Sequence, residues 1–133
     1  MIVVIDSSIW ISAIEYGGTP AAAVERAVKS DVLATCSEID NEVFRILSRK
    51  FGRDPDFAQD RFQVHLIEAL RIQITGEVSG VCRDRNDDCI LECALKAKAQ
   101  FIITGDNDLL FLKEFRNIRI LTARQYLELP PGS

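Results

Sequence analysis

The sequence predicts an α/β fold built on a doubly wound, mostly parallel central sheet. Ile2–Ile5 and Phe101–Ile103 are continuous apolar runs rich in β-branched residues, as in strands that are buried on both faces. Such strand patterns alternate along the chain with segments of helical periodicity, which is the order expected of a parallel sheet wound with helices. Since no linker or internal repeat interrupts the pattern, the 133 residues are predicted to form one domain, 1–133.

Capping and turn signals place the other elements. Ser7 and Ser8 are predicted to cap a helix through Trp10 to Glu15, and Pro20 is predicted to open a helix that runs to about Lys29. The other predicted strands are Val32–Thr35, Arg71–Thr75 and Ile118–Leu121. The other predicted helices run from Ser37 to about Phe51, from Asp54 through Leu70, from Asp87 or Asp88 onwards, over Leu109–Phe115, and from the Thr122 cap to Glu128. The last helix is predicted to stop at Pro130, Pro131 and Gly132, which cannot extend it.

The chain lacks the sequence marks of a membrane or secreted protein. No apolar run approaches the roughly 20 residues of a membrane span. The N-terminus has no basic region and reaches Asp6 at once, so it is interpreted as a buried strand rather than a signal peptide. The cysteines form no CxxC pair, which favours buried thiols in a reducing cytoplasm over disulfides or a zinc site; they are Cys36, Cys82, Cys89 and Cys93.

Five aspartates are concentrated in one segment, Arg83–Leu112. Three stand where a helical pattern begins and two follow the second apolar strand; they are Asp84, Asp87, Asp88, Asp106 and Asp108. Each of them alone is explained as a helix cap, because carboxylates are favoured at helix N-termini. All of them together would repel one another, and a cation would resolve the conflict.

Two further acids extend this pattern. Asp6 ends the first strand, and Glu42 lies on the flank of the buried face of the helix that begins near Ser37. Carboxylates without soft or imidazole ligands suit Mg²⁺ or Mn²⁺. A cluster of this kind can hold one or two ions, which orient a scissile phosphate and activate water.

The net charge of −4 does not exclude a nucleic acid partner. Without the seven acids named above, the chain carries 13 acidic residues against 16 Lys and Arg residues. The acidity is therefore concentrated where a metal could neutralise it, and the rest of the chain is mildly basic.

The chain resembles the PIN-domain nucleases, and in particular the small prokaryotic VapC-like toxins. The resemblance covers essentially the whole chain and is carried by VVIDSSIW, SEIDNEVFRILSRKF, DRNDDCILECALKAKAQFIITGDNDLL and IRILTARQYLEL. It implies a Rossmann-like sheet with helices on both faces and a ribonuclease activity that depends on Mg²⁺ or Mn²⁺. It also implies a homodimer and an antitoxin whose tail blocks the site.

Carried over to this chain, the resemblance implies that the core acids are Asp6, Glu42, Asp87 and Asp106. Asp87 is chosen from the acidic run because Ala94 then falls at the family's seven-residue offset. The acids that remain possible outer ligands are Asp84, Asp88 and Asp108. Ser8 stands where many relatives carry asparagine, and its hydroxyl, like that of Thr104, is expected to support the ligands or a metal-bound water. Arg85 stands where proline is frequent, which is expected to loosen the loop before Asp87.

Arginines beside the acids are predicted to position RNA. Arg45 and Arg49 follow Glu42 at i+3 and i+7 on one side of the same helix and are expected to contact RNA phosphates. The alternative is that both are ordinary solvated residues that pair with nearby acids. In that case Arg83 and Arg85 become the candidates for the phosphate contacts.

Two other functions are compatible with parts of the pattern. A phosphatase with an aspartate nucleophile would need Asp-x-Asp after the first strand, but Ser8 stands in place of the second acid. A catalytically inactive PIN-like module that only binds a partner is the second alternative, and the retention of all four core acids speaks against it. Whether the substrate is RNA or DNA, and which sequence it has, is not predicted by these residues.

Overall fold

The computed structural model describes residues 1–130, so the predicted helix stop at Pro131 and Gly132 lies outside the described residues. Its strands are β1 (Ile2–Ile5), β2 (Val32–Thr35), β3 (Leu70–Arg71), β4 (Phe101–Ile103), β5 (Glu114–Phe115) and β6 (Ile118–Leu121). The described residues form one six-stranded sheet in the order β3-β2-β1-β4-β6-β5. All neighbouring strands pair in parallel except β5, which runs antiparallel to β6 at one edge.

The centre of the sheet is covered on both faces. Val3 and Val4 are consecutive residues of β1, so their side chains point to opposite faces, yet both are fully buried. Ile102 and Ile103 of β4 repeat this pattern. The predicted doubly wound, mostly parallel sheet is therefore confirmed, and the continuous apolar runs reflect burial on two sides.

Seven α-helices surround the sheet in the described part of the chain. They are α1 (Ser7–Tyr16), α2 (Gly18–Ser30), α3 (Ser37–Arg49), α4 (Pro55–Arg61), α5 (Arg85–Ala97), α6 (Asn107–Leu112) and α7 (Ala123–Leu127). Helix α2 packs against α1 and α7, whereas α5 lies against β1, β2 and β4 and also contacts α3. The helices α3 and α5, which carry Glu42 and Asp87, are therefore held next to each other.

Several helix starts differ from the prediction. Helix α1 begins at Ser7, so Asp6 occupies the N-cap position instead of Ser7 or Ser8, and its side chain makes no capping hydrogen bond. Helix α5 is capped by Asp84, whose carboxylate accepts the N–H of Asn86 at 2.9 Å, and neither Asp87 nor Asp88 is the cap. Helix α2 starts two residues before Pro20, at Gly18.

Two longer segments also differ. The helix predicted from Asp54 through Leu70 ends at Arg61 and is followed by a 3₁₀ turn, Gln63–Leu66. The strand predicted over Arg71–Thr75 is limited to β3, and the chain then runs without regular structure to α5. The helix predicted over Leu109–Phe115 is shorter, because Lys113 adopts a φ of 62° and starts the β5–β6 hairpin.

The remaining sequence predictions concern side chains and membranes. His65 stacks on Trp10, with ring centroids 6.1 Å apart, and therefore serves as a packing residue. All four cysteines are free thiols; Cys36 and Cys93 are buried, and Cys82 and Cys89 are partly buried. Within residues 1–130 no helix is both long and apolar enough to cross a bilayer.

Candidate metal centre

The ends of β1 and β4 meet at one point of the sheet. Ile5 pairs with Ile103, and the N–H of Asp6 donates to the Ile103 carbonyl at 2.9 Å. Asp6 and Thr104 are the first residues beyond these strands, and Asp106 follows as the N-cap of α6. The parallel pairing thus brings residues from the two ends of the sequence together at the carboxyl edge of the sheet, where α/β proteins bind their ligands.

Three aspartates form the tightest part of the site. Asp87, Asp106 and Asp108 each offer a carboxylate oxygen, and these oxygens all lie within 4.8 Å of one another. Asp106 uses Oδ1 to accept the N–H groups of Asp108 at 2.8 Å and Leu109 at 3.2 Å. Because these bonds involve Oδ1 alone, capping α6 does not prevent Asp106 from offering Oδ2 to an ion.

Asp87 is the most perturbed of the acids in the site. It is buried, and its Oδ2 is the one buried side-chain polar atom in residues 1–130 that has no hydrogen-bond partner. Burial raises the pKa of Asp87 to about 7, with further contributions from the negative charges of Asp106 and Asp6. An unpaired buried oxygen among other carboxylates is the environment in which a cation is most favourable.

Asp6 lies beside this group, held by hydroxyls. Its Oδ2 accepts the hydroxyls of Thr104 at 2.7 Å and Ser8 at 2.9 Å, and its Oδ1 accepts the hydroxyl of Ser7 at 3.3 Å. Burial raises the pKa of Asp6 although the hydroxyls of Thr104 and Ser8 oppose that effect, and the charge of Asp106 adds to it. Hydroxyls are neutral donors, so they orient the carboxylate without cancelling its charge.

Thr104 and Ser8 connect the two strand ends. The Thr104 hydroxyl donates to Asp6 and accepts the N–H of Asp106 at 3.0 Å. The Ser8 hydroxyl donates to Asp6 and accepts the N–H of Gly105 at 3.2 Å. Both side chains therefore fix the position of Asp6 relative to the segment that carries Asp106.

Glu42 lies outside the group of three aspartates, near enough to Asp6 and Asp84 for their charges to affect it. It is half-buried on α3. Burial raises its pKa; the hydroxyl of Ser7 opposes the shift, the charge of Asp6 adds to it, and Arg45 opposes it again. Ser7 thus lies near both acids, and its hydroxyl donates to Asp6.

The other two acids of the α5 N-terminus have structural partners. Asp84 caps the helix, and its charge helps to raise the pKa values of Asp87 and Glu42. Asp88 is buried and points to the preceding loop, where it accepts the N–H groups of Gly80 at 2.9 Å and Cys82 at 2.8 Å. Three neighbouring acids therefore have three different environments.

A second buried carboxylate, which sequence reasoning missed, holds the same loop. Glu92 is fully buried and accepts the N–H groups of Thr75 at 2.7 Å, Gly76 at 3.1 Å and Val78 at 3.2 Å, with Lys96 3.0 Å away. Burial works to raise the pKa of Glu92, but these hydrogen bonds and Lys96 outweigh it and lower the pKa to about 2. The only available sequence signal was an acid at i+4 from Asp88 on an otherwise apolar helix face.

The predicted arginines are distributed around the acids. Arg45 is half exposed, with its guanidinium 4.0 Å from Glu42, and Arg49 is exposed further along α3. Arg83 reaches Asp108 and forms an ion pair with it. Arg85 is exposed on the first turn of α5.

The donors of the site fit a hard divalent cation. All the side chains brought together there offer carboxylate or hydroxyl oxygens, which are the ligands of Mg²⁺ and Mn²⁺. Cys82 stands nearby, but burial and the charges of Asp88 and Asp87 raise the pKa of its thiol to about 11, so it offers no thiolate at neutral pH. Among these oxygens, Oδ2 of Asp87 is buried and has no hydrogen-bond partner in residues 1–130.

Sequence comparison identifies the family. The family model for the PIN domain matches residues 2–108, which is well over half of the chain. The chain belongs to the PIN domain family. No curated protein gave a significant sequence match to this PIN domain.

Solved structures share the fold of this PIN domain. A chain of VapBC2 from Rickettsia felis, in a crystal structure with a DNA fragment from the promoter, superposes with a TM-score of 0.65 at 16% identity, covering 90% of this chain and 97% of that chain. VapC20 from Mycobacterium tuberculosis, a toxin described as cleaving the sarcin–ricin loop, gives a TM-score of 0.61 at 18% identity, covering 88% of this chain and 98% of that chain. The predicted PIN domain family is therefore confirmed, and the likeness to these two structures confirms the predicted fold.

Proposed function

We propose that this PIN domain is a Mg²⁺- or Mn²⁺-dependent endoribonuclease and the toxin of a type II toxin–antitoxin system. The observation that carries the proposal is the buried, unpaired Oδ2 of Asp87 in a group of three aspartates whose oxygens lie within 4.8 Å of one another. Unpaired buried carboxylates are unfavourable unless a cation is present. A nuclease uses such a cation, whereas a purely structural role would not require so many unneutralised acids.

The proposed ligands for one or two ions are Asp6, Glu42, Asp87 and Asp106, with Asp108 as a further ligand. A bound ion would polarise the scissile phosphate and generate the attacking hydroxide from water. Asp84 and Asp88 are assigned other tasks, because the first caps α5 and the second anchors a loop. No histidine is needed as a general base, and His65 is occupied with Trp10.

The residues around the acids orient the ligand carboxylates. Thr104 and Ser8 hold Asp6 against the Asp106 segment, so the ligand oxygens are positioned before an ion or substrate arrives. Supporting hydrogen bonds of this kind typically change metal affinity or activity by about 10- to 100-fold. The raised pKa of Asp87 means that ion binding at neutral pH also displaces a proton from that carboxyl.

The arginines support a nucleic acid substrate, and a similar structure supports RNA as that substrate. Arg45 and Arg49 extend from Glu42 along one side of α3, where guanidinium groups can grip successive phosphates. Arg83 contacts Asp108, and Arg85 is exposed on the first turn of α5. VapC20, which has the same fold, is described as cleaving the sarcin–ricin loop, and this likeness supports the proposal of RNA as the substrate.

The proposed partners follow from the same similarity. A chain of the VapBC2 complex has this fold, which supports an antitoxin partner for the present chain. A homodimer acting in the cytoplasm is proposed with it. The absence of a membrane-spanning helix among the described residues is compatible with this proposal.

Digestion of a panel of structured RNAs tests the function. Cleavage is expected with Mg²⁺ or Mn²⁺ and should be lost in EDTA and in the Asp6→Asn variant, whereas Asp60→Asn, which changes an exposed acid on α4, should retain it. RNA binding without cleavage under all conditions would favour a binding module. Hydrolysis of a phosphate monoester that survives EDTA would favour the phosphatase alternative.

A further inference from the structure

The ion pair between Arg83 and Asp108 lies at the edge of the acid cluster. One Nη atom of Arg83 is 2.7 Å from Oδ1 and 3.0 Å from Oδ2 of Asp108, so a single amino group contacts both carboxylate oxygens. The Arg83 side chain is otherwise 87% exposed, and that of Asp108 is 38% exposed. The guanidinium thus has solvent on its other sides, and within residues 1–130 its ion-pair partner is Asp108.

The loop that leads to Arg83 is held by hydrogen bonds to two carboxylates of α5. Glu92 accepts three N–H groups between Thr75 and Val78, and Asp88 accepts those of Gly80 and Cys82. The last of these anchors is the residue immediately before Arg83. Two buried carboxylates of α5 therefore set the point from which the arginine side chain reaches across to α6.

The carboxylate oxygens of Asp108 belong both to the aspartate group and to the ion pair with Arg83. It belongs to the group whose oxygens lie within 4.8 Å of those of Asp87 and Asp106. Both of its oxygens are also contacted by Arg83. A divalent cation placed among the three aspartates would face the guanidinium charge across one carboxylate, and like charges at that separation repel.

We propose that Arg83 is the resident counter-charge of Asp108 and that a divalent cation must displace it to bind the three aspartates. This inference rests on the proposed function, because it assigns Asp108 to the metal centre. Once displaced, the guanidinium stays beside the site, because the backbone of Arg83 is anchored, and it can bind a substrate phosphate. Metal binding and phosphate binding would then favour each other, as linked equilibria require.

The competition predicts that removing the arginine strengthens metal binding. Mn²⁺ alone is the probe, titrated calorimetrically into wild type, Arg83→Ala, Asp108→Asn and the double variant at one pH. Arg83→Ala should lower the Kd for Mn²⁺ by about two- to five-fold, the size expected for an exposed ion pair. In the Asp108→Asn background the same substitution should have almost no effect, because the shared carboxylate is gone.

Two controls separate a specific pair from general charge. Arg85 lies two residues after Arg83, carries the same charge and forms no ion pair within residues 1–130. Arg85→Ala should therefore leave the Kd for Mn²⁺ nearly unchanged. Arg83→Lys retains the charge and should stay close to wild type. Both variants should melt at about the wild-type temperature.

Each result has a definite meaning. An unchanged or weaker Mn²⁺ affinity in Arg83→Ala overturns the competition, and so does equal tightening in the presence and absence of Asp108, which would indicate long-range repulsion alone. If wild type binds Mn²⁺ without responding to Arg83, this inference fails and the proposed metal centre survives. If none of the four proteins binds Mn²⁺, the metal centre fails and the competition fails with it.

Discussion

Asp87 and Asp88 are neighbours on the first turn of α5, yet their carboxylates have opposite environments. Asp88 accepts two backbone N–H groups, from Gly80 at 2.9 Å and Cys82 at 2.8 Å. Asp87 is equally buried but leaves Oδ2 without a partner and faces the other acids. One carboxylate is therefore satisfied by loop N–H groups, whereas the other is left unpaired among carboxylates of the same charge.

The substitution Asp87→Asn should abolish RNA cleavage and stabilise the metal-free protein. An amide in this position carries no charge and can donate to the surrounding carboxylates. The expected gain is about 1–3 kcal/mol in the free energy of unfolding at pH 8, and it should shrink at pH 5, where the raised pKa already keeps Asp87 protonated. Urea unfolding at the two pH values, in EDTA, measures both effects.

The substitution Asp88→Asn is the matched control. The amide keeps one acceptor but turns an NH₂ group towards a backbone N–H, so one loop donor loses its partner. The metal-free protein should lose about 1–3 kcal/mol at pH 8. A gain in stability for Asp88→Asn, or a loss for Asp87→Asn, would contradict the assignment of the two carboxylates.

Much of the site was predictable because it follows strands. A buried apolar run that ends in an acid identifies Asp6 and Asp106 as residues of the sheet edge, and parallel pairing brings them together. The division of labour among Asp84, Asp87 and Asp88 was not predictable. All three suit a helix start, and the choice depends on where the helix begins and on loop N–H groups that approach only in the folded chain.

The segments that were predicted wrongly depend on tertiary contacts. The chain after β3 is held by Glu92 and Asp88 of α5 rather than by sheet pairing, so the strand pattern of Arg71–Thr75 was overridden. The β5–β6 hairpin turns through Arg116 and Asn117, with φ values of 48° and 70°. Positive φ at an arginine has no sequence signal, because turns of this kind usually contain glycine.

The metal-free protein should lose stability as pH rises towards neutrality. The pKa of Asp87 is raised from its ordinary value of 3.8 to about 7, so the folded state binds more protons than the unfolded state between these values. The contribution of this group is therefore fully present below about pH 4 and is lost as pH rises through about 7. Asp6 and Glu42, whose pKa values are also raised, change stability in the same direction.

Glu92 acts in the opposite direction at low pH. Its pKa is lowered from 4.5 to about 2, so its contribution is present above 4.5 and is lost as pH falls towards 2. Thermal melts in EDTA should therefore show maximum stability in mildly acidic solution. Millimolar Mn²⁺ should reduce the loss of melting temperature between mildly acidic and neutral pH, because a ligand bound only to the native state stabilises it by mass action. If melting temperature falls equally with pH near neutrality in the presence and absence of Mn²⁺, the free protein does not bind the metal.

Replacing Thr104 by valine should impair the site more than the fold. Valine preserves the shape but removes the hydroxyl that joins Asp6 to the N–H of Asp106. Cleavage is expected to fall by about 10- to 100-fold, with a larger requirement for Mg²⁺. Thr104→Ser should restore most of the activity. If valine and serine behave alike, the hydroxyl does not position the ligands.

Arg45 and Arg49 should contribute phosphate contacts without sequence preference. RNA affinity is measured against salt in the Asp6→Asn background, which prevents cleavage. Each alanine variant should weaken binding to all sequences alike and reduce the log–log salt slope by about 0.7. Arg124→Ala, on the exposed side of α7, serves as the control and should leave the slope unchanged. Unchanged slopes for Arg45→Ala and Arg49→Ala would assign both residues to the solvated surface.

The location of Mn²⁺ in a crystal tests the proposed metal centre most directly. Anomalous difference maps from crystals grown with Mn²⁺ are predicted to show one or two peaks at coordination distance from Asp87 Oδ2 and Asp106, with Asp6 as a further contact and none at Asp88. Saturating Mn²⁺ that leaves Asp87 Oδ2 without an ion, while peaks appear elsewhere or not at all, would contradict the proposal that this carboxylate cluster is a metal-dependent nuclease site.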